Sequence, residues 1–263
     1  MEKRIQAKLA EIEHRNGVRI VFACESGSRA WGFASRNSDW DVRFIYVHPT
    51  EWYLSVDFRN KRDVIELPLE DDLDIVGWEL RKALGLFWKS NPPLLEWLDS
   101  PMIYLERGEV SDRLRALRKS YYSPQSSWHH YLHMAKGNYR EYLRGDVVWL
   151  KKYLYVLRPL LAVRWLEREL GPVPIRFQVL VETVVEQREI QEAIAALLAA
   201  KMAGDELSMG ARIPILSNFF ETEFARHETT QALLPSGRKP VEPLNVLFLD
   251  ALQEVCLNGQ YPP

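Results

Sequence analysis

The chain has 263 residues, of which 47% are hydrophobic and 27% charged, and its formal net charge is −2. These proportions are ordinary for a folded globular protein and exclude a largely disordered one, and the length allows one large or two ordinary domains. No apolar run reaches the roughly 18 residues that a membrane-spanning helix needs, and no apolar signal core follows Met1. We therefore expect a cytoplasmic protein without a membrane partner.

Charge is unevenly distributed along the chain. Residues 1–112 contain 15 basic and 20 acidic side chains, residues 113–168 contain 12 and 3, and residues 169–263 contain 7 and 13. A basic segment between two acidic ones is typical of a localised binding surface for anions. The small total charge argues against a protein that coats nucleic acid without selectivity.

The first predicted elements are a helix and two strands. Residues 3–16 place apolar side chains at helical spacing, and residues 18–24 form a β-rich apolar run that ends before a Gly-Ser turn. Residues 42–47 are predicted as the second strand. Between these strands lie Gly27-Ser28 and, after ten intervening residues, Asp39-Trp40-Asp41.

The two aspartates form a candidate site for a divalent cation. Successive side chains of a strand point to opposite faces, so Asp39 and Asp41 are expected on one face, about 7 Å apart at Cα. Like charges this close repel each other in a partly desolvated site unless a cation compensates them. Mg²⁺, or Mn²⁺ in its place, prefers such oxygen ligands and completes its shell with water and substrate phosphates. Solvated charge at a strand edge is the alternative explanation.

The Gly-Ser turn is suited to binding phosphate. Gly27 tolerates unusual φ values and the close approach of a ligand, Ser28 supplies a hydroxyl and an N–H, and Arg29 adds positive charge. An ordinary turn would have the same composition, so the turn alone is a weak signal. Its occurrence at this spacing from the aspartate pair indicates a metal-dependent nucleotide site.

The turn, the ten-residue spacer and the Asp-x-Asp pair together resemble the signature of the DNA polymerase β-like nucleotidyltransferases. The surrounding pattern and later segments are more similar still to the bacterial YcgL/RlaP-type group, predicted nucleotidyltransferases associated with RNA repair. The resemblance implies the α+β fold class, with a polymerase β-like catalytic domain built on a mixed sheet with flanking helices. Because β-like patterning largely ceases after residues 107–112, we expect this domain at residues 1–108 and an all-helical domain that binds nucleotide and substrate at residues 109–263.

The resemblance also implies a third carboxylate on a strand that neighbours the aspartate pair. Residues 64–69 are predicted as a third strand, at an edge because the proline in this run cannot donate to a ladder. Asp74 follows and leads into an apolar run, which makes it the first candidate. Glu66 and Glu79 are the alternatives, and a polar loop is the other interpretation of residues 71–74.

The helical half contains a second group of candidates. Residues 147–161 are predicted as a helix with a continuous apolar stripe, and Lys152, Tyr155 and Arg158 belong to its polar residues. In the superfamily a helical second domain often closes over the nucleotide. The resemblance therefore implies phosphate contact for Lys152 and Arg158 and contact with the base or sugar for Tyr155. A solvated basic face is the alternative.

These features predict transfer of a nucleoside monophosphate from an NTP to an acceptor hydroxyl, with release of pyrophosphate. Asp39, Asp41 and Asp74 would bind the metal, and Asp74 would also activate the acceptor. The basic segment and the resemblance favour an RNA acceptor, such as a tRNA end. A protein hydroxyl, as in AMPylation, or a small molecule would also fit. A non-catalytic module that binds nucleotide or RNA is the alternative from another class.

Overall fold

The computed structural model describes residues 1–57, 60–203, 208–229 and 239–257. Within these ranges no helix is long and apolar enough to cross a membrane. The strands are β1 (Arg19–Glu25), β2 (Trp40–Val47), β3 (Val64–Glu66), β4 (Leu73–Glu79), β5 (Ile103–Glu106), β6 (Val147–Trp149) and β7 (Met209–Ala211). The helices are α1 (Glu2–Asn16), α2 (Gly27–Trp31), α3 (Thr50–Tyr53), α4 (Leu80–Trp88), α5 (Pro92–Leu98), α6 (Val110–Tyr121), α7 (Pro124–Tyr142), α8 (Lys152–Glu167), α9 (Phe177–Val184), α10 (Arg188–Met202), α11 (Pro214–Thr229) and α12 (Glu242–Leu257).

Five strands form a mixed sheet in the order β3-β4-β2-β1-β5. The β2 and β4 strands run parallel, while the β1–β2, β1–β5 and β3–β4 pairs are antiparallel. The predicted α+β class, with a mixed sheet and a largely helical region after it, is confirmed. The β3 strand lies at an edge, as the proline after it predicts.

The two faces of the sheet bury different cores because side chains alternate along each strand. One face packs on α1 through Ile5, Leu9 and Ile12. The other face packs against α4, α5, α6 and α12, with Phe22 and Ile45 among its buried strand residues. Each core is contiguous and apolar, so the sheet is held from both sides.

The chain divides into two compact units. The first unit contains residues 1–30 and 39–122 together with α12, and the second contains residues 31–38 and the chain from Ser123 to the segment before α12. The α6 helix belongs to the first unit because Val110 and Leu114 are buried in its core. The division of roles between residues 1–108 and 109–263 stays a prediction.

The second unit is organised around α8, which packs against α7 and α9. Its sequence is apolar on most sides, and the helix is accordingly buried on most sides. The spacer of the nucleotide motif is part of this unit: Phe33 is buried, and its ring meets Phe177 edge-on with 5.3 Å between centroids. One expectation was wrong, because the residues predicted as the first turn of the 147–161 helix form β6, which pairs with β7.

Candidate functional site

The central feature of the site is the alignment of two aspartates on neighbouring strands. In the parallel β2–β4 pair, Asp41 stands directly opposite Asp74. Asp39 comes immediately before β2 and is exposed, whereas Asp41 and Asp74 are half-buried. Thirty-three positions separate Asp41 from Asp74 in the chain, so only strand pairing brings them together.

Gly27 lies against the carboxylate of Asp41. Its φ is +57°, and a Cβ at this position would be 2.0 Å from Oδ2 of Asp41. The turn is further tied to β2 by a hydrogen bond of 2.8 Å from the Ser26 N–H to the Asp41 carbonyl. Ser28 is buried in the first turn of α2. A residue without a side chain is therefore required at position 27, both for the backbone conformation and for the space that Asp41 fills.

Arg43 bridges the two aligned aspartates. It is two residues after Asp41 and so projects from the same face of β2. Its Nη2 lies 2.8 Å from Oδ2 of Asp74 and 3.2 Å from Oδ1 of Asp41. Its Nη1 donates to the backbone carbonyls of Val42 and Asp74, both at 3.1 Å. The guanidinium therefore offsets one of the two negative charges and holds both side chains in place.

The donor chemistry of this cluster fits a hard divalent cation. Carboxylate oxygens on adjacent strands are the ligands that Mg²⁺ and Mn²⁺ prefer. In the described part of the chain, no three His, Cys, Asp or Glu side chains are already arranged to hold a metal. At the predicted site the guanidinium of Arg43 faces oxygens of both Asp41 and Asp74. An ion held by Asp39, Asp41 and Asp74 would replace at least one of these two contacts.

The pKa of the Asp41 carboxyl responds to burial and to the charges around it. Burial raises the pKa of the Asp41 carboxyl, the neighbouring charges of Asp74 and Asp39 raise it further, and Arg43 opposes them. A positive charge beside this carboxylate therefore stabilises its ionised form.

Glu25 is a buried carboxylate of the site that sequence reasoning missed. It ends β1, two residues before Gly27, and its Oε1 accepts the backbone N–H of Asp41 at 3.0 Å. Its Oε2 accepts the hydroxyl of Tyr104 on β5 at 2.6 Å, and burial raises the pKa of Glu25. Glu25 thus joins β1, β2 and β5 beneath the aspartates. A charged residue at the end of an otherwise apolar strand was the signal in the sequence.

The two alternative third carboxylates have other roles in the structure. Glu66 is exposed and pairs with Arg62 at 3.4 Å. Glu79 is fully buried at the other end of β4, where it caps α4 by accepting the N–H groups of Arg81 and Lys82. Asp74 is the candidate that stands in register with Asp41.

Arg29 lies beside the first aspartate. Its Nε donates to the backbone carbonyl of Asp39 at 3.1 Å, and its guanidinium covers the Trp40 ring at 3.8 Å from the centroid. The guanidinium of Arg29 is therefore held next to the Asp-x-Asp pair.

Two of the three candidates of the second unit, Tyr155 and Arg158, lie against Trp31. The guanidinium of Arg158 lies 4.5 Å from the Trp31 ring centroid, and the Tyr155 ring meets the same indole edge-on with 5.9 Å between centroids. The Nζ of Lys152 lies 4.0 Å from the ring centroid of Tyr142, and burial lowers the pKa of Lys152. Arg158 is buried, so a solvated basic face is wrong for that residue.

The mixed sheet, with Asp41 beside Asp74 and against the Gly-Ser turn, agrees with the polymerase β-like class of proteins that the motif resembles. The family model of RlaP, the RNA repair pathway DNA polymerase beta family, matches residues 1–250. The chain is also 47% identical to the protein YcgL of Bacillus subtilis (strain 168) over 260 residues. The alignment covers 98% of this chain and 99% of that relative. The chain belongs to the RlaP family, which confirms the resemblance and supports a nucleotidyltransferase.

Proposed function

We propose that the protein is a Mg²⁺-dependent nucleotidyltransferase that moves a nucleoside monophosphate from an NTP to an acceptor hydroxyl and releases pyrophosphate. The observation that carries the proposal is the register of Asp41 with Asp74 on parallel strands, with Asp39 one residue before β2. In this proposal the three carboxylates, at one end of two adjacent strands, would serve both metal binding and proton transfer.

Each acidic residue has a distinct role in this proposal. Asp39 and Asp41 hold the metal, while Asp74 helps to hold it and accepts the proton that the attacking hydroxyl loses. Bound Mg²⁺ would offset the negative charge that develops on the phosphates. Glu25 accepts the backbone N–H of Asp41, which keeps that backbone in place, and so acts as a positioning residue.

The basic and aromatic candidates would bind the nucleotide. The Gly27-Ser28 turn and Arg29 are assigned to the β- and γ-phosphates. Lys152 is assigned to phosphate and Tyr155 to the base or sugar. Arg158 is buried against Trp31, so it would reach a phosphate only by leaving that contact.

An RNA end is the proposed acceptor. The description of the family refers to an RNA repair pathway, and residues 113–168 have nine more basic than acidic side chains, 12 against 3. Transfer to RNA should therefore weaken steeply as salt is added, because neutralising phosphates releases counterions. Transfer that is insensitive to salt would indicate a small acceptor.

The test is incubation of the full chain with each α-³²P-labelled NTP, Mg²⁺ and a mixed tRNA pool. Label in RNA that disappears with the Asp39→Ala/Asp41→Ala double variant and with Asp74→Asn, but persists with Glu66→Gln, is the expected result. Glu66→Gln is the matched control because Glu66 is an exposed carboxylate in an ordinary ion pair.

Three other results would each contradict part of the proposal. Label in protein instead of RNA would make the enzyme an AMPylating one. Full activity of Asp74→Asn would remove Asp74 from the mechanism. Absence of transfer to RNA, protein or water, together with intact nucleotide binding, would leave a non-catalytic binding module.

A further inference from the structure

The two-stranded ribbon of the second unit, β6 with β7, has one face packed and one face open. Val147 pairs with Ala211 and Trp149 with Met209, so these four side chains share one face of the ribbon. Between them Val148 pairs with Gly210 and faces the other way.

Packing on the inner face explains why residue 210 is a glycine. Val148 is buried, and a Cβ on Gly210 would be 2.7 Å from Cδ1 of Leu150. The ribbon is thus held to the unit by its inner face. The side chains of its outer face are therefore presented outward by a fixed backbone.

The outer face is apolar and exposed to solvent. The relative exposure is 60% for Val147, 42% for Trp149 and 47% for Met209, and Ala211 is also exposed. Single exposed apolar side chains are normal on a protein surface, whereas four contiguous ones that include an indole mark an interaction site.

One cation lies beside this apolar strip, and a second is close to it in the chain. The Nζ of Lys151 lies 5.6 Å from the centroid of the Trp149 ring, and Arg144 is exposed three residues before Val147. Over the ranges that the structure describes, neither Arg144 nor Lys151 takes part in an ion pair. Both lie in residues 113–168, the basic segment of the chain.

We infer that this ribbon face binds single-stranded RNA, with a base stacked on Trp149 and neighbouring phosphates held by Lys151 and Arg144. The inference rests on the proposed function for its choice of RNA as the partner. An exposed aromatic ring with adjacent cations is the arrangement by which proteins bind single strands without sequence preference. The cations favour a polyanion over an apolar protein partner, because a purely apolar partner would leave their charge uncompensated.

The test measures RNA binding separately from turnover. A fluorescein-labelled single-stranded RNA 12-mer is titrated with the full chain in anisotropy experiments at several salt concentrations. Trp149→Ala should weaken binding about 5- to 100-fold, the usual range for loss of one base–aromatic stack. Lys151→Gln and Arg144→Gln should each reduce the slope of log K against log salt by about 0.7.

Trp88→Ala is the matched control. Trp88 is as exposed as Trp149, at 43%, but lies in the first unit. This variant should bind RNA like the wild type. Equal thermal melting of all variants shows that the losses come from contacts and not from unfolding.

Three outcomes would overturn the inference. One is wild-type protein that does not bind single-stranded RNA, and another is Trp149→Ala with unchanged affinity. The third is a dimer that Trp149→Ala converts to monomer without loss of RNA affinity, which would assign the face to a second copy of the chain. If the proposed function is wrong and this inference is right, RNA affinity depends on Trp149 although no label is transferred. The two failures can therefore be distinguished.

Discussion

Replacement of Arg43 by methionine should make the aspartate cluster bind a divalent cation more tightly. In the structure the guanidinium contacts Asp74 at 2.8 Å and Asp41 at 3.2 Å. A metal that uses these oxygens must displace at least one of the two contacts. Methionine matches the aliphatic stem of arginine and has no charge, so it removes the competing guanidinium and keeps the packing of the stem.

The magnitude follows from the contacts that are lost. A hydrogen bond to a charged group contributes about 1.5–3 kcal/mol when well shielded. Here the side chains of Arg43, Asp41 and Asp74 are 18%, 21% and 35% exposed, so screening reduces the effect to about 1–2 kcal/mol. At about 1.4 kcal/mol per tenfold, the affinity for the cation should rise about 5- to 30-fold.

The assay is titration with Mn²⁺, followed by the loss of the free-ion EPR signal and by calorimetry. Arg62→Met is the matched control because Arg62 pairs with the exposed Glu66. Unfolding of Arg43→Met without metal should require less urea than unfolding of the wild type, since Asp41 and Asp74 then repel each other. Mn²⁺ should restore that stability by mass action. Weaker or unchanged Mn²⁺ binding by Arg43→Met would refute the reasoning and make Arg43 a group that assembles the site.

Three further predictions concern stability, each read from urea unfolding. Gly27→Ala should lower the free energy of unfolding by about 1–3 kcal/mol more than Gly17→Ala. Both glycines have φ near +58°, but only Gly27 lies against Asp41. Equal losses for the two variants would show that the contact with Asp41 does not contribute. Glu25→Ala should lower the free energy of unfolding by about 2 kcal/mol or more because the Asp41 N–H loses its acceptor. Glu25→Gln still offers an oxygen to that N–H and should retain most of the stability. A loss as large as that of Glu25→Ala would show that the charge of Glu25 is what stabilises the fold. Burial holds the pKa of His48 at about 4, below its ordinary 6.5, so the unfolded chain takes up the proton first and stability should fall as the pH drops from about 6.5 to 4. His48→Gln should remove about 1–2 kcal/mol of that fall, after allowance for screening, and an unchanged pH profile would exclude His48 as its source.

The local features of the site were predictable because short-range chemistry determines them. A glycine at φ +57° and a strand of alternating burial are dictated by the residues themselves. The Gly-Ser turn and the Asp-x-Asp pair were therefore located, with β2 beginning at Trp40, two residues earlier than predicted. The resemblance drawn from them is the one that the family comparison confirms.

The partners of these residues depended on pairing between distant segments. Asp74 meets Asp41 only because β4 adds parallel to β2 in one particular register, and a shift by one residue would turn Asp74 to the other face. The bridging contacts of Arg43 follow from that register. Nothing in the local sequence distinguishes Arg43 from any other charged residue on a strand.

The same reason explains the errors in the helical half. Residues 147–149 have apolar side chains that fit a helical stripe, yet they form a strand because Met209–Ala211 offers backbone partners some sixty positions later. The sequence by itself determined the motif, the charge distribution and the elements stabilised by their own periodicity. The tertiary structure decided which carboxylates meet, which cation neutralises them and which apolar face stays exposed, because these depend on contacts between segments far apart in the chain.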